Sequence, residues 1–258
     1  MPHVVAIIQA RMGSTRLPGK VMADVAGRPL IDHVVKRAQQ AQRLDLVTVA
    51  TSDRLTDDIV AHFCAERDVP YFRGSEEDVL DRYYQAARCF SADVIVRLTA
   101  DCPLLDPEVI DRVVQFFQRD AYDYVSNNIE RTYPVGLDTE IFQRSALERA
   151  WGDACLRSER EHVTPYICKY PNLFHLANVK HYSNLSKFRW TVDLPQDLEF
   201  VRRVYGYLGP NPTFGMEEIL RLLRSHPELQ MINDGIDPDE GYAKSLREDE
   251  RVFKRVRK

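Results

Sequence analysis

The sequence has few cysteines, and their spacing indicates neither disulfide pairing nor a metal site. Five cysteines occur in 258 residues, an odd number, and no two of them form C-x-x-C. This argues against a disulfide framework and against a cysteine zinc site. The seven histidines form no HExxH motif. We therefore expect reduced thiols and a cytoplasmic protein.

The chain also lacks a strong excess of one charge and any long apolar run. A net charge of −4 provides no global positive field for nucleic acid. No apolar run approaches the roughly 20 residues that cross a membrane, and the start of the chain lacks the basic region of a signal peptide. We expect neither nucleic acid nor membrane as a partner. Hydrophobic residues make up 44% of the chain, enough for a sizeable core.

One stretch, VVAIIQARMGSTRLPGK at residues 4–20, combines a strand pattern with a basic loop. Its apolar, β-branched start is typical of a buried strand. Gly13 lets the backbone approach phosphate oxygens. The cations Arg11, Arg16 and Lys20 would neutralise a triphosphate. The alternative is an ordinary connection with solvated charges.

Two familiar phosphate loops do not fit this stretch. In a P-loop the second glycine would fall one place earlier than Gly19, and Lys20 would precede a hydroxyl residue rather than Val21. The dinucleotide fingerprint G-x-G-x-x-G is absent. The loop therefore belongs to another class of phosphate site.

Strand and helix patterns alternate along the chain. Strands are predicted at residues 4–8, 46–50, 70–72, 93–98, 122–126, 139–142, 174–182 (antiparallel) and 188–192. Helices are predicted at 29–42, 56–67, 76–90, 109–117, 145–156, 158–169, 195–207 and 216–224. This alternation predicts an α/β fold with a mainly parallel sheet. Ligands bind such sheets at the carboxyl ends of strands, where the basic loop, Ser52, residues 73–75 and Asp101 all fall.

Several motifs resemble those of a known family. QARMGSTRLPGKV followed by GRPLIDHVV resembles the start of the cytidylyltransferases that make CMP-activated sugar acids, namely the CMP-Kdo synthetases and the acylneuraminate cytidylyltransferases. The branch of spore coat polysaccharide biosynthesis protein F is similar through further stretches: GSEEDVLDRYYQAA, VRLTADCPLLDP, DYVSNN, GLDTEIF, EREHVTPYI and RWTVDLPQDLE. The resemblance implies a Rossmann-like nucleotidyltransferase (glycosyltransferase-A-like) sheet flanked by helices, with a smaller antiparallel substrate and dimerisation lobe. It also implies CTP, Mg²⁺ and a homodimer.

Asp101 and Asp193 are the candidate metal ligands. Each directly follows an apolar strand pattern, VIVRLTAD and FRWTVD, and magnesium needs few carboxylates besides phosphate and water. By the resemblance, aspartates at these two positions bind the catalytic metal. Asp193 has an alternative role as the cap of the next helix.

The resemblance also assigns nucleotide contacts. Lys20, Arg11 and Asp101 are the catalytic candidates, with Lys20 stabilising charge at the reacting phosphate. The nucleotide-binding candidates are Gln9, Ala10, Arg11, Gly13, Ser14, Arg16, Lys20, Arg73, Ser75 and Thr99.

The acceptor-side candidates carry weaker signals. They are Arg97, Asp138, Glu140, Glu161 and His162. Arg97 has an alternative role as a strand charge paired with an acid, and His162 as a structural histidine. Asp138 and Glu140 equally suit polar positions on a half-buried strand.

The chain departs from both well-understood branches of the family. Val21 replaces the Asn of the acylneuraminate branch, and Ala100 and Cys102 flank Asp101 where the Kdo branch has Gly and Glu. The acceptor is therefore not assumed to be Kdo or sialic acid.

The resemblance implies transfer of CMP from CTP to an acidic sugar or related hydroxy acid, with release of pyrophosphate, in polysaccharide or glycoconjugate biosynthesis. One alternative is a metal-dependent glycosyltransferase, which would need D-x-D where Asp101 precedes Cys102 and Pro103. The other is a non-catalytic nucleotide-binding module.

The chain is predicted to form a single nucleotidyltransferase domain over residues 1–243. Its nucleotide-binding part covers about 1–120, its acceptor and dimerisation part about 121–190, and the return to the core about 188–243. Residues 244–258 are highly charged and are interpreted as a solvated helix or mobile tail.

Overall fold

The computed structural model describes residues 2–210, 213–236, 242–243 and 245–250. Seven strands form its central sheet: β1 (Val4–Gln9), β4 (Leu46–Ser52), β5 (Tyr71–Gly74), β6 (Val94–Thr99), β7 (Tyr124–Ser126), β8 (Glu140–Gln143) and β9 (Leu176–Asn178). A separate antiparallel pair consists of β2 (Asp24–Val25) and β3 (Arg28–Pro29).

Helices cover both faces of the sheet. They are α1 (Leu30–Ala38), α2 (Asp58–Glu66), α3 (Val79–Cys89), α4 (Pro107–Phe117), α5 (Arg144–Asp153), α6 (Arg157–His162), α7 (Pro165–Lys169), α8 (Pro195–Leu208) and α9 (Met216–Ser225). Short 3-10 turns occur at Lys20–Met22, Leu55–Asp57 and Pro227–Ile232. No helix in the described part of the chain is both long and apolar enough to span a membrane.

The strand order is β5-β4-β1-β6-β8-β7-β9. The first four strands of this order pair in parallel, β8 runs antiparallel to β6 and β7, and β7 pairs in parallel with β9. The predicted mainly parallel fold class is confirmed, and its antiparallel part extends the same sheet through β8. Gln9 lies opposite both Ala50 and Thr99, so three strands end together at one edge.

The alternation of side chains along β1 divides the core into two layers. Val4, Ala6 and Ile8 pack on one face of the sheet, while Val5 and Ile7 pack on the other. All five are buried. Full burial of one such large aliphatic side chain contributes about 1.5–3 kcal/mol. This two-sided burial explains why β1 is a continuous apolar run.

Three predicted elements were wrong in type, direction or continuity. The antiparallel strand predicted at 174–182 is the short β9, which pairs in parallel with β7. No strand spans 188–192; one parallel bridge joins Val135 and Arg189. Trp190 and Val192 are buried there together with Arg189 and Thr191, so the apolar residues of this segment reflect burial without a strand.

The helix predicted at 158–169 is two helices. Val163, with φ of 73°, interrupts it, and Pro165 starts α7 because a first-turn proline needs no hydrogen-bond donor. Within the predicted tail, residues 245–250 are helical. Lys244 and residues 251–258 lie outside the described residues.

Candidate active site

Lys20 lies between the two predicted metal ligands. Its Nζ atom is 2.8 Å from Oδ2 of Asp101 and 2.8 Å from Oδ1 of Asp193, and it donates a third hydrogen bond to the Val192 carbonyl at 2.8 Å. Only 9% of the residue is exposed. The structure therefore brings together three sequence-predicted residues that are far apart in the chain.

The local backbone explains how Lys20 reaches this position. Gly19 adopts a left-handed conformation with φ of 72°, and its N–H donates to the Met12 carbonyl at 3.0 Å. The Ser14 N–H donates to the same carbonyl, so the loop folds back on itself before Lys20 begins a 3-10 turn. A glycine tolerates this backbone conformation without the strain that a Cβ atom adds.

The two aspartates are held at the end of β6. Asp101 is the second residue after β6, and the Ala100 N–H between them donates to the Gln9 carbonyl at 2.9 Å. The Val192 N–H donates to the Asp101 carbonyl at 2.8 Å. This bond places Asp193 beside Asp101 although 188–192 is not a strand.

Opposite charges determine the protonation states in this cluster. Burial alone would lower the pKa of Lys20, but the charges of Asp101 and Asp193 raise it overall. Burial would also raise the pKa of Asp101, but the Lys20 ammonium lowers it overall. The cluster therefore contains the Lys20 ammonium and the ionised Asp101 carboxylate at neutral pH.

Sequence reasoning missed Arg189, Asp197 and Asn233, which orient the Asp193 carboxylate. Arg189 Nη2 lies 2.9 Å from Asp193 Oδ2, and Arg189 Nε lies 2.9 Å from Asp197 Oδ1. Asn233 Nδ2 donates to Asp197 Oδ1 at 3.0 Å. Arg16 also contacts Asp193 Oδ1 at 2.8 Å. The motif RWTVDLPQDLE contained Arg189, Asp193 and Asp197, but only their i, i+4 spacing hinted at the contacts.

Asp57 is a second residue that the sequence did not identify. Its carboxylate accepts the Met12 N–H at 2.7 Å and the Ser52 hydroxyl. The residue is 1% exposed. It therefore ties the basic loop to the end of β4. The sequence marked residues 56–67 only as a helix.

The other predicted phosphate and base contacts have partners outside the Lys20 cluster. Arg11 Nη2 is 3.9 Å from Glu161 Oε1, and its Nη1 donates to the Glu76 carbonyl at 3.5 Å. Arg73 contacts Asp58 at 2.7 Å and donates to the carbonyls of Ser52 and Arg54. The structure does not bring Arg11 or Arg73 to the Lys20 cluster.

An open pocket of about 510 Å³ adjoins the loop on this side. It is lined by Met12, Gly13, Arg54, Leu55, Thr56 and Glu76. A Cβ atom on Gly13 would lie 3.0 Å from Glu76 Oε1, so the glycine keeps this wall of the pocket clear. Ser75 accepts the Asp78 N–H at 3.0 Å, just before α3.

The remaining nucleotide candidates line the strand ends. Ala10 is buried and its N–H donates to the Ala50 carbonyl. The Gln9 side chain accepts from Arg97 Nη2 at 3.5 Å. Thr99 Oγ1 lies 3.3 Å from Cys102 Sγ, and Ser14 Oγ accepts the Leu17 N–H at 3.3 Å.

Four of the five acceptor-side candidates lie near one another. Arg97 pairs with the buried Glu140, whose Oε1 accepts the hydroxyls of Tyr124 and Thr164, each at 2.7 Å. Thr164 follows the end of α6, which carries Glu161 and His162. Burial, followed by the charge of Arg97, lowers the pKa of His162. Asp138 is elsewhere, in a pair with Arg131.

The carboxylate pair fits a magnesium site. Among the described residues no group of three or more His, Cys, Asp or Glu side chains converges as a metal cage. Asp101 and Asp193 nevertheless converge on one point, and a cation, the Lys20 ammonium, already lies there. Magnesium in nucleotide sites is held by one or two carboxylates together with phosphate and water, which is the donor set that these residues would provide.

Comparison with known proteins identifies similar chains. The sequence model of the Cytidylyltransferase family matches residues 5–224. The spore coat polysaccharide biosynthesis protein SpsF of Bacillus subtilis is 35% identical over 237 residues, covering 88% of this chain and 97% of that protein. A 3-deoxy-manno-octulosonate cytidylyltransferase of Anaeromyxobacter dehalogenans is 45% identical over 116 residues, covering 44% of this chain and 47% of that one.

A solved structure shares the whole fold. The structure of a cytidylyltransferase from Leptospira borgpetersenii superposes with a TM-score of 0.87 at 31% identity, covering 92% of this chain and 100% of that one.

Proposed function

Since the chain belongs to the cytidylyltransferase family and is a CTP-dependent nucleotidyltransferase, we propose that it transfers CMP from CTP to an acidic sugar or related hydroxy acid and releases pyrophosphate. The observation that carries this proposal is the convergence of Lys20 with Asp101 and Asp193 at the end of β6. A cation and two carboxylates at one point suit a reaction in which negative charge moves along a polyphosphate.

In the proposed step an acceptor oxygen attacks the α-phosphorus of CTP. The new bond joins this oxygen to phosphorus, and the bond from the α-phosphorus to the bridging oxygen of pyrophosphate breaks. The acceptor hydroxyl gives its proton to solvent water, and pyrophosphate takes the electron pair of the broken bond. Lys20 leaves the carboxylates and holds an oxygen of the reacting phosphate. Asp101 and Asp193 would hold Mg²⁺, which supplies positive charge to the phosphate oxygens.

The loop separates two sets of cations that serve different parts of the triphosphate. Lys20 and Arg16 face Asp193, whereas Arg11 faces Glu76 and Glu161. CTP bound across Gly13 would contact both sets, with its base toward the pocket beside Leu55 and Glu76. This arrangement supports a triphosphate substrate better than a diphosphate sugar, because the loop carries three cations.

An acidic acceptor would bind beside Arg11, on the side of its guanidinium that faces α6. This guanidinium is one-third exposed and lies between the nucleotide loop and Glu161 of α6. A carboxylate on the acceptor would find a cation there beside hydrogen-bonding groups from His162. A role in polysaccharide biosynthesis agrees with the name of the B. subtilis relative, a spore coat polysaccharide biosynthesis protein.

Pyrophosphate release tests the proposal directly. The protein with Mg²⁺ is mixed with CTP, UTP, ATP or GTP and with a panel of sugar acids, hydroxy acids and sugar phosphates. Release confined to CTP and an acidic acceptor is expected, and the productive pair identifies the substrate. Absence of release from every triphosphate would overturn the proposal. Light scattering on the same preparation tests the predicted homodimer.

A further inference from the structure

We propose that Ser245, in the C-terminal segment formed by residues 242–243 and 245–250, is a positioning residue of the acceptor subsite. The acceptor subsite is defined here as Arg11, Arg97, Glu140, Glu161 and His162. Ser245 holds His162 in one tautomer and orients Glu161 toward Arg11. The inference rests on the proposed function for the identity of the subsite.

A single hydroxyl bridges the two subsite residues. Ser245 Oγ lies 3.0 Å from His162 Nε2 and 3.1 Å from Glu161 Oε2, and Ser245 is only 4% exposed. A hydroxyl has one hydrogen, and a carboxylate can only accept. The hydrogen therefore points to Glu161, and His162 Nε2 must carry the proton that Ser245 accepts. In the neutral imidazole this leaves the lone pair on Nδ1.

The segment that carries Ser245 is anchored to the first turn of α6. Asp249 Oδ1 accepts the Ser158 N–H at 3.3 Å, and Glu248 pairs with Arg157 at 2.9 Å. Ser245 and Asp249 are both buried and four residues apart, as expected for one face of a helix. Tyr242 packs edge-on against the His162 ring, with centroids 5.2 Å apart. His162 is therefore covered on one side by this segment.

The contacts of Glu161 and of α6 connect Ser245 to the nucleotide loop. The Oε1 atom of Glu161 faces Arg11 at 3.9 Å, while its Oε2 atom receives the Ser245 hydroxyl. Fixing one carboxylate oxygen fixes the direction of the other. Thr164, two residues after His162, holds the Glu140 carboxylate that pairs with Arg97. A shift of α6 would therefore move the whole subsite.

Two kinds of measurement test the role of Ser245. Long-range ¹⁵N–¹H spectra of the histidine rings report the tautomer and titration of His162 without any substrate. The wild type should show the Nε2–H tautomer, and Ser245→Ala should show mixed tautomers with a changed titration midpoint. Ser245→Thr keeps the hydroxyl and should restore the wild-type signals. Arg247→Ala, at an exposed position of the same segment, is the matched control and should leave them unchanged.

The kinetic arm uses the acceptor found by pyrophosphate release. Ser245→Ala should raise the KM of the acceptor about tenfold, the effect of one lost hydrogen bond to a charged group, and should change the KM of CTP less, because Lys20 and Arg16 also hold the triphosphate. An Nδ1–H tautomer in the wild type, unchanged His162 signals in Ser245→Ala, or an unchanged acceptor KM would each overturn the inference while leaving the transferase intact. Absence of pyrophosphate release from any triphosphate would overturn both.

Discussion

The ammonium of Lys20 and the carboxylate of Asp101 are 2.8 Å apart although 81 residues separate them in the chain. Because Asp193 contacts the same ammonium, Lys20 reduces the repulsion between the two neighbouring carboxylates. The same cation is the one that we propose moves to the reacting phosphate. Lys20 thus links the stability of the free site to its chemistry.

Replacing Lys20 should lower turnover far more than stability, because Asp101 is one-quarter exposed and Asp193 keeps Arg16 and Arg189. Lys20→Met keeps the apolar stem and removes the charge. We expect kcat to fall about 100-fold to 1,000-fold, the range for loss of one group that stabilises transition-state charge. Lys36→Met, at an equally short contact with Asp32 on α1, should keep wild-type turnover. Circular dichroism distinguishes loss of charge from loss of fold, and an unfolded Lys20→Met would show that the loop is structural.

Magnesium should stabilise the Lys20→Met variant more than the wild type. In the wild type the metal must displace an ammonium from Asp101 and Asp193, whereas in the variant Asp101 has lost this cation and Asp193 keeps Arg16 and Arg189. Thermal unfolding with and without Mg²⁺ should show a larger increase in Tm for Lys20→Met. Adding Asp101→Asn to the variant should remove that gain. Equal Tm increases in wild type and single variant would contradict the predicted metal site.

Some residues of this cluster can be predicted from the sequence and others cannot. Lys20, Asp101 and Asp193 were predictable because each follows an apolar strand pattern or lies in a recognisable motif. Arg189 and Asn233 were not, because their contacts depend on how α8 and the turn at Pro227–Ile232 pack behind Asp193. Likewise 188–192 has a strand pattern, yet its direction past the end of β6 is determined by tertiary bonds. A hydrophobic pattern predicts which residues are buried and whether they form a helix or a strand. It does not predict the partner of a polar side chain.

Asp57→Asn should weaken CTP binding by loosening the basic loop. The Asp57 carboxylate bonds both the Met12 N–H and the Ser52 hydroxyl, and an amide has only one acceptor oxygen. We expect a loss of about 1–3 kcal/mol in the free energy of unfolding and a higher KM for CTP. Asp53→Asn, at an exposed position between β4 and the 3-10 turn at Leu55–Asp57, is the control. Urea denaturation and initial rates measure the two effects, and a wild-type KM in Asp57→Asn would show that the loop does not depend on this anchor.

Gly136→Ala should displace the segment that carries Asp193. Gly136 has φ of 106°, and a Cβ atom there would lie 2.6 Å from the Thr191 nitrogen and 2.7 Å from the Trp190 carbonyl carbon. Backbone strain alone costs about 1–3 kcal/mol, and the clash adds to it. Gly152→Ala in α5 meets nothing within 4 Å and should instead raise stability by about 0.5–1 kcal/mol. Opposite changes in Tm are expected, with loss of turnover only in Gly136→Ala.

Glu140 should make the fold sensitive to acid. Burial would raise the pKa of this carboxyl, but the charge of Arg97, together with hydrogen bonds from Thr164 and Tyr124, lowers it overall. The unfolded chain has a glutamate pKa of about 4.3. Because the folded pKa is lower, the stabilisation is fully present above about pH 4.3 and is lost as the pH falls through the folded pKa.

Glu140→Gln should remove this acid dependence. The amide keeps the volume but leaves Arg97 without its counter-charge, so the free energy of unfolding at pH 7 should fall by about 3–5 kcal/mol. Below about pH 4 the difference between wild type and variant should shrink, because the wild type binds a proton there that the variant cannot. Glu199→Gln, in an exposed pair with Arg203 on α8, should stay within about 0.5 kcal/mol of the wild type at every pH. Urea denaturation from pH 3 to pH 8 measures both differences. If the difference in the free energy of unfolding between Glu140→Gln and wild type stayed constant with pH, Glu140 would not be ionised in the fold. Arg97 would then pair with another acidic group.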